Sequence, residues 1–356
     1  MKMANMNNDY AKIKVPHSFS RSIRNFKAFI HWKANEIKVF LLYTGLPILF
    51  KYLQTKYFEH FCLYVLIIRR LCDTNIPDKE HDNTKRLLNI WQKDVEGLYG
   101  LKDMTYTAHV HLHLVDQVRR LGPLHRIAAF SFEGLLKHIK AKITGTRFIG
   151  NQIVKRILIE KYSIKKTLEI EEIHTLDFAT HHLLPKVFKK DILYDSKIDN
   201  SIKFSSSEIN ALKSFDGTLQ DLIGIDCFSR LKQGNYSYNS HIYNSGQKRC
   251  SSYAKWQNKS SIEYGLIVKF LNLKSKHLFI AMKFKVLDLQ KCLNISSKYK
   301  QAFDICRLED YFTIVSNNDF AYVCLPVTCL KANCLYVKIS EESFGIITEV
   351  FDFEHD

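Results

Sequence analysis

Two histidines, His109 and His113, have the spacing of a metal-ligand pair. They lie four residues apart, so on a helix their imidazoles share one face and can bind the same metal ion. On a strand, His111 would point to the same side as both of them. A single HxxxH pair in a chain with 15 histidines is weak evidence by itself, and a structural role is the commoner explanation of such spacing. The spacing therefore marks a candidate metal site.

A carboxylate, Glu133, interrupts the apolar run AAFSFEGLLKHIK at residues 128–140. Such a group must reach solvent or be paired. Near the start of a helix it can simply favour the helix dipole. The functional alternative is a ligand directed into a divalent-metal site for phosphoryl transfer. Both interpretations remain open at this point.

Basic residues are concentrated around these candidates. On solvent-facing helix positions they commonly form only a hydrated surface. Their density beside a candidate metal site makes contacts with phosphate groups an equal alternative. The residues concerned are Arg119, Arg120, Lys137, Lys140, Lys142, Arg147, Lys155 and Arg156.

The net charge of the whole chain is also compatible with a phosphate-containing partner. Lysine and arginine number 52 against 36 acidic residues, which gives a net charge of +16 and a pI near 9.3. This excess favours polyanions or anionic membrane surfaces as partners, although an AT-rich coding bias would also enrich lysine. The apolar runs 39–50 and 61–68 are shorter than the ~20 residues of a membrane span, so we expect no membrane partner. Nine cysteines without a CxxC pair indicate free thiols in a reducing compartment.

Helical periodicity dominates the first half of the chain. In the helix predicted over 130–144, Phe132, Leu135 and Leu136 are expected to face inward. The segment 104–114 is ambiguous, because its alternation is typical of a strand; the following residues favour a helix over 109–121, ending at Gly122-Pro123. The other predicted helices are 26–54, 57–71, 84–98 and 152–162.

Composition divides the chain into four predicted regions. A basic lead-in covers residues 1–25, and a helical region follows over 26–170. A linker rich in Ser, Asn and Lys is predicted over 186–260. Short β-type runs over 261–356 predict a small antiparallel barrel or sandwich. The expected fold class is therefore α+β, with helices first and a small antiparallel β domain after them.

Several strings together resemble CACTA (En/Spm)-type DDE transposases. Residues 32–49 are similar to that family's WKA-x-E … FLLYY-x-LP-x-L pattern. Residues 106–113, RR-x-GPL at 119–124 and AFSFE at 129–133 are similar to its N-x-H-x-x-x-H-L … RR-x-GPL … SAF-x-FE pattern. In plants this region is described as a domain of unknown function that accompanies the transposase. The resemblance covers about residues 10–165, in matching order and spacing.

The resemblance implies an RNase H-like fold with a DDE triad, of which this chain would retain a truncated core helix and inserted helices. Glu133 matches the third acid and would help hold catalytic Mg²⁺. His109 and His113 match the histidines that bind structural Zn²⁺ together with a CxxC pair. His111 stands where the family usually has Leu, and Thr107 where it has Asn. The family's two catalytic aspartates and its CxxC belong upstream, so both metal sites are expected to be incomplete here.

These implications predict a truncated transposase-like protein that binds DNA, is catalytically inactive alone, and is nuclear if family-like or otherwise cytoplasmic. One alternative is a subunit that completes a split transposase with a partner chain supplying Asp-Asp-CxxC. Another is a domesticated, non-enzymatic scaffold for protein interactions.

Overall fold

The amino-terminal half is helical in the computed structural model, which describes residues 2–19, 23–74, 76–169, 192–197, 204–217, 225–234, 236–244, 248–273, 276–289, 292, 296–339 and 344–351. The chain forms two compact units, one comprising 1–124, 194–232 and 236–356 and the other 125–193 and 233–235. Helices followed by an antiparallel sheet confirm the α+β class. Among the described helices, none is long and apolar enough to cross a membrane.

The first helices of the chain include a turn of π-helix between α2 and α3. Helix α1 (Lys2–Ala11) and a 3₁₀ turn (Phe26–His31) precede α2 (Ala34–Val39), the π-helical turn Phe40–Thr44 and α3 (Gly45–Tyr52). At the junction, a Cβ on Gly45 would lie 2.7 Å from the carbonyl oxygen of Phe40 and 3.1 Å from the rings of Phe40 and Phe61. Only glycine therefore allows this close approach.

Helix α4 (Thr55–Cys72) is the central helix of the first unit. Its apolar residues extend nearly all round, a pattern typical of a buried helix. The side chains of Leu63, Leu66 and Ile67 are completely buried, which agrees with the helix predicted over 57–71. Helix α5 (Asp78–Tyr99) packs beside it and contributes Leu87 and Leu88 to the same core.

The ambiguous segment is helical. After a 3₁₀ turn (Leu101–Asp103), α6 (Tyr106–Val110) starts at Thr105, whose side chain accepts a hydrogen bond from the Ala108 amide. A 3₁₀ turn (His111–His113) and α7 (Leu114–Leu121) continue it to Gly122, which has a φ of 92°. The helix predicted over 109–121 is confirmed, and its end at Gly122 as well.

The described part of the second unit contains two long helices. A short helix, α8 (Leu124–Ile127), precedes α9 (Ala129–Ala141) and α10 (Ile149–Leu168). These correspond to the predicted helices at 130–144 and 152–162.

The remaining elements form the sheet and the helices around it. They are β1 (Ile192–Lys197), α11 (Ser206–Phe215), β2 (Asp226–Gln233), β3 (Tyr236–Asn239), α12 (His241–Asn244), β4 (Tyr253–Asn258), β5 (Ser261–Leu273), β6 (Lys276–Val286), α13 (Ser297–Cys306), β7 (Phe312–Pro326), β8 (Leu330–Lys338) and β9 (Phe344–Glu349). The stretch 186–260, predicted as a linker from its polar composition, thus carries helices and strands. In β2 partly and fully buried residues alternate, and Asp226, Arg230 and Lys232 lie on the less buried face.

Six of the strands close into a ring. Antiparallel pairing runs from β4 to β5, β6, β7, β9 and β8, and β8 pairs with β4 again. Strand β2 pairs with the carboxy-terminal part of β5, residues 270–272. Of the two predicted forms, barrel or sandwich, the pairing corresponds to a small barrel.

Side chains of this ring pack on both its faces. Inside, the ring of Phe284 on β6 lies 6.1 Å from that of Tyr336 on the opposite strand, β8. A Cβ on Gly345 would lie 2.3 Å from the Tyr336 ring, so glycine is required beside it. Outside, Leu335 and Ile346 belong to the same core as α4. The helical and β regions predicted as separate therefore share one hydrophobic core.

A buried arginine, Arg69, joins α4 to this sheet. Only 1% of it is exposed. Its guanidinium donates hydrogen bonds to the carbonyls of Leu42 (2.6 Å) and Glu349 (3.0 Å). Four aromatic rings surround it, with centroids 4.4–5.3 Å from the guanidinium carbon; they belong to Tyr43, Tyr311, Phe312 and Phe351. No acidic side chain forms an ion pair with it among the described residues.

We predict that Arg69→Ala lowers the free energy of unfolding by about 3 kcal/mol, because it leaves a cavity and two carbonyls without donors. Urea unfolding followed by tryptophan fluorescence measures the change. Arg86→Ala is the matched control, since Arg86 is exposed on α5; it should change stability by less than about 0.5 kcal/mol. Equal midpoints for the two variants would contradict the proposed role of Arg69.

Candidate functional site

The two candidate zinc ligands lie together on the surface of the first unit. His109 is in α6 and His113 ends the following 3₁₀ turn, and both are exposed. Their ring centroids are 5.3 Å apart, as expected for residues one helical turn apart. The pair offers two of the four ligands of a structural zinc site. Within the described part of the chain no group of three or more His, Cys, Asp or Glu residues can hold a metal, so these residues do not complete a zinc site.

His111, which lies between the two candidate ligands in sequence, points away from them and toward aromatic side chains. His111 packs against two aromatic rings, with centroids 5.4 Å from that of Tyr64 and 5.9 Å from that of Trp91. Burial lowers its pKa. Its Nδ1 is buried and has no hydrogen-bond partner among the described residues. The helical geometry thus separates His111 from the exposed pair and makes it part of the core.

His60, a fully buried histidine on α4, continues this aromatic cluster. Its ring stacks on that of Trp91 at 5.4 Å. Nε2 donates to the carbonyl of Trp91 (2.9 Å), so Nδ1 accepts from the hydroxyl of Tyr99 (3.0 Å). Burial lowers the pKa of His60, against the opposing effect of the bond to the Trp91 carbonyl. The lowered pKa favours the neutral imidazole, in which Nε2 carries the proton because the Trp91 carbonyl can only accept.

The predicted catalytic acid, Glu133, lies in α9 of the second unit. The backbone of α9 is described at this position, but the side chain of Glu133 lies outside the described residues. One carboxylate does not hold the two Mg²⁺ ions of DNA strand transfer. The catalytic role of Glu133 therefore stays a prediction, and no reaction step follows from it.

The two adjacent arginines at the end of α7 differ in their partners. Arg119 donates to a carboxylate oxygen of Asp82 at 2.7 Å, and this hydrogen bond lowers the pKa of Asp82. Both side chains are exposed, so the pair is open to exchange with phosphate oxygens. Arg120 is also exposed.

In the second unit, ion pairs and a glutamine fix the hairpin of α9 and α10. Lys142 forms an ion pair with Glu160, which His138 also approaches. The side chain of Gln152 accepts hydrogen bonds from the amides of Thr144 and Gly145 and donates to the carbonyl of Arg147 (2.7 Å). These contacts hold the loop between the helices against the start of α10.

The other predicted DNA-binding residues of the hairpin are at its surface. Arg156 donates to the Thr144 hydroxyl at 3.1 Å. Lys137, Lys140 and Lys155 are exposed and form no ion pair with any described residue. Lys142 differs from them, because its side chain is only 12% exposed and is engaged by Glu160.

The hairpin also exposes apolar side chains that sequence reasoning placed inside. Phe132, Leu135 and Leu136 are 54–65% exposed, so the prediction that they face inward was wrong. On α10, exposed apolar residues recur every four positions and form a stripe; they are Val154, Leu158 and Tyr162. The sequence signal for the stripe is this spacing next to lysines on both sides, at 155, 161, 165 and 166.

We predict that acidification destabilises the first unit through His60 and His111. Both pKa values are lowered in the fold, so the unfolded chain binds more protons, and stability present above the unfolded pKa near 6.5 is lost as the pH falls below it. Each proton contributes a slope of up to about 1.4 kcal/mol per pH unit.

The variant His111→Leu should reduce the slope of the unfolding free energy between pH 6.5 and 5. It should change stability at pH 8 by less than about 1 kcal/mol, because it removes the unpartnered Nδ1 together with the long, 3.5 Å contact between Nε2 and the Tyr64 hydroxyl. Urea unfolding at several pH values measures this. His109→Leu, at an exposed position, is the control and should keep the wild-type slope. An unchanged slope in His111→Leu would contradict the assignment.

The comparisons with known proteins add no relative from which a role could be transferred. No family model, no curated protein and no solved structure matches this chain.

Proposed function

We propose that this protein is a DNA-binding protein of the CACTA transposase type, nuclear, that does not cut DNA by itself. The observation that carries the proposal is the basic character of the α9–α10 hairpin. Residues 125–169 contain ten Lys and Arg against three Glu, a difference of seven positive charges. Polyanions such as the DNA backbone are the partners that such a surface favours.

The distribution of the charges within the hairpin supports phosphate contacts. One lysine is neutralised by Glu160 and another, Lys166, by Glu169 (2.8 Å). Lys161 and Lys165 are exposed, as are Lys137, Lys140 and Lys155. Because each cation that meets a phosphate releases condensed counterions, their contacts would add salt-dependent affinity without base specificity.

We base the proposal that this chain does not cut DNA by itself on its resemblance to CACTA transposases. Strand transfer in that family needs three acids around two Mg²⁺ ions, and the motifs of this chain match only the last of them, Glu133. A CxxC pair for the zinc site does not occur anywhere in the sequence.

We predict that exchanging Lys137, Lys140 and Lys155 together for Gln weakens binding to duplex DNA. The slope of log K against log salt concentration should fall by up to about 3, since each phosphate contact contributes roughly 0.9. Fluorescence anisotropy with a labelled duplex at several salt concentrations measures the slope.

The matched control exchanges three exposed lysines of the first unit, Lys56, Lys300 and Lys331, for Gln. This variant has the same net charge as the first and should keep a slope closer to that of the wild type. Equal losses in both variants would show that only the net charge matters, and an absence of salt-sensitive binding by the wild type would refute the proposal.

A second candidate function, a subunit of a split transposase, is favoured by the exposed apolar stripe of Val154, Leu158 and Tyr162. Apolar patches rimmed by polar groups commonly mark protein interfaces. A partner chain that supplies Asp-Asp-CxxC would cover this stripe and complete the metal sites.

We predict that exchanging Val154, Leu158 and Tyr162 for Gln weakens the complex with such a partner chain by about tenfold or more, while DNA binding by the chain alone is kept. Calorimetry measures the affinity, and a Mg²⁺-dependent strand-cleavage assay of the complex, with Glu133→Gln beside it, measures the activity. Ile30→Gln, at a position 71% exposed in the first unit, is the control. Cleavage that is the same with Gln at position 133 would exclude this role of Glu133.

A further inference from the structure

The closed ring of strands has a cavity at one of its ends. Its volume is about 580 Å³, within the range of about 300–1,000 Å³ that is usual for small-molecule sites. Ile262, Tyr264, Val286 and Thr313 line it from three strands of the ring, and Leu287 and Leu289 from the segment after β6. The mouths of barrels are frequent places for ligand sites.

The interior of the ring leads into this cavity. Side chains alternate between the two faces of a strand, so Tyr253 and Lys255 on β4 point to the same face. The Tyr253 ring stacks on Tyr336 at 4.7 Å and approaches Phe284 at 6.4 Å. These three rings fill one part of the interior. Lys255, two residues further along β4, lines the cavity.

An ion pair lies in the interior beside the cavity. Lys255 donates a hydrogen bond to the carboxylate of Glu349 on β9, and the two side chains are only 20% and 30% exposed. Near them the hydroxyl of Tyr264 on β5 is hydrogen-bonded to Thr313 on β7. Strands β4 and β9, like β5 and β7, are not neighbours in the ring, so both contacts cross its interior.

The ammonium group of Lys255 has more N–H donors than hydrogen-bond acceptors among the described residues. It carries three N–H donors, and among the described residues Glu349 is its only hydrogen-bond partner. Burial disfavours the charged form, but the Glu349 carboxylate outweighs this and the pKa of Lys255 is raised. The side chain is therefore a charged donor in a half-buried, mostly apolar cavity.

The charges around the cavity determine the class of ligand. Lys255 and Glu349 neutralise each other, and Glu309 adds a carboxylate at the exposed rim. An anion would approach two carboxylates, and a cation would approach Lys255. Ionised groups also lose solvation at an apolar wall formed by Ile262, Val286 and Leu287.

We propose that this cavity binds an uncharged, largely apolar small molecule whose carbonyl or similar acceptor receives a hydrogen bond from Lys255. The apolar part of the ligand would contact the aliphatic wall, where its burial supplies most of the affinity. The single polar contact would fix its orientation. This site is independent of the proposed DNA binding.

The experiment uses the full chain and the probe prodan, an uncharged naphthyl ketone whose fluorescence shifts to the blue in apolar surroundings. We expect saturable binding of one molecule per chain with a micromolar dissociation constant. Anilinonaphthalene sulfonate, a similar aromatic body with a negative charge, should bind at least about tenfold more weakly. Absence of saturable prodan binding, or equal or tighter binding of the sulfonate, would overturn the proposal.

Variants locate the binding. Val286→Trp fills the cavity from a residue that is 50% exposed, and it should weaken prodan binding by about tenfold or more. Phe320→Trp is the control: this residue is 42% exposed and does not line the cavity, so affinity should be unchanged. Equal affinity of Val286→Trp and the wild type would place the probe elsewhere and overturn the proposal.

The polar contact is tested by removing both charges together, with Lys255→Met and Glu349→Gln in one chain, so that neither is left buried without its partner. Circular dichroism and urea unfolding establish that this variant and Val286→Trp are folded; Ile262→Trp replaces the latter if it is not. We expect affinity for prodan to fall about fivefold in the double variant, because the donor is lost. Unchanged affinity would refute the hydrogen bond from Lys255.

Discussion

The fold of the first unit depends on a buried cation, Arg69, which forms no ion pair with any described residue. Arg69 cannot lose its proton to escape the cost of burial, so its surroundings must replace water. Two backbone carbonyls accept its hydrogen bonds, one from the π-helical turn at Leu42 and one from β9 at Glu349. Aromatic rings cover its faces, that of Phe351 at 4.4 Å. The π-helical turn, the end of β9 with Phe351, and the start of β7 with Tyr311 and Phe312 must therefore all meet at α4 before the charge is tolerated. This requirement specifies one arrangement of the helix against the sheet.

Once α4 is held, its other polar side chains position the neighbouring helices. The carboxylate of Glu59 accepts hydrogen bonds from the amide and hydroxyl of Ser296, at the start of α13. His60 bonds to the carbonyl of Trp91 on α5. The ring of Tyr64 contacts His111, so that His109 and His113 are presented on the opposite, exposed side. Helical spacing places His111 on the face opposite to His109 and His113. The packing of His111 against Tyr64 therefore leaves the candidate metal pair exposed.

Local patterns were sufficient for α4, α5, α7, α9 and α10, since periodicity and breakers such as Gly122 are properties of a few adjacent residues. They missed α1, α11 and α13, which lie in segments predicted as a lead-in, a linker and a β region. Ring closure could not be predicted in the same way, because the pairing of β4 with β8 that closes the ring joins segments far apart in the chain. The role of Arg69 was hidden for a similar reason: at the end of an apolar helix, a charged residue normally reaches water. The exposure of Leu135 and Leu136 was mispredicted since an apolar stripe does not reveal whether anything covers it. The same ambiguity applies to Glu133.

The distribution of charge connects these observations with the two proposed sites. Interior ion pairs, such as Lys255 with Glu349 and Lys269 with Glu208 (2.9 Å), add no net charge. Arg69 contributes one positive charge, so 15 of the net +16 must be carried by the rest of the chain. That surplus acts over distances set by ionic strength, and contacts of the hairpin with a polyanion should weaken as salt screens them. Binding of the proposed ligand in the barrel cavity would depend on the burial of apolar surface instead, because Lys255 and Glu349 neutralise each other, and it should change little with ionic strength. Ionic strength should therefore separate the two proposed kinds of binding.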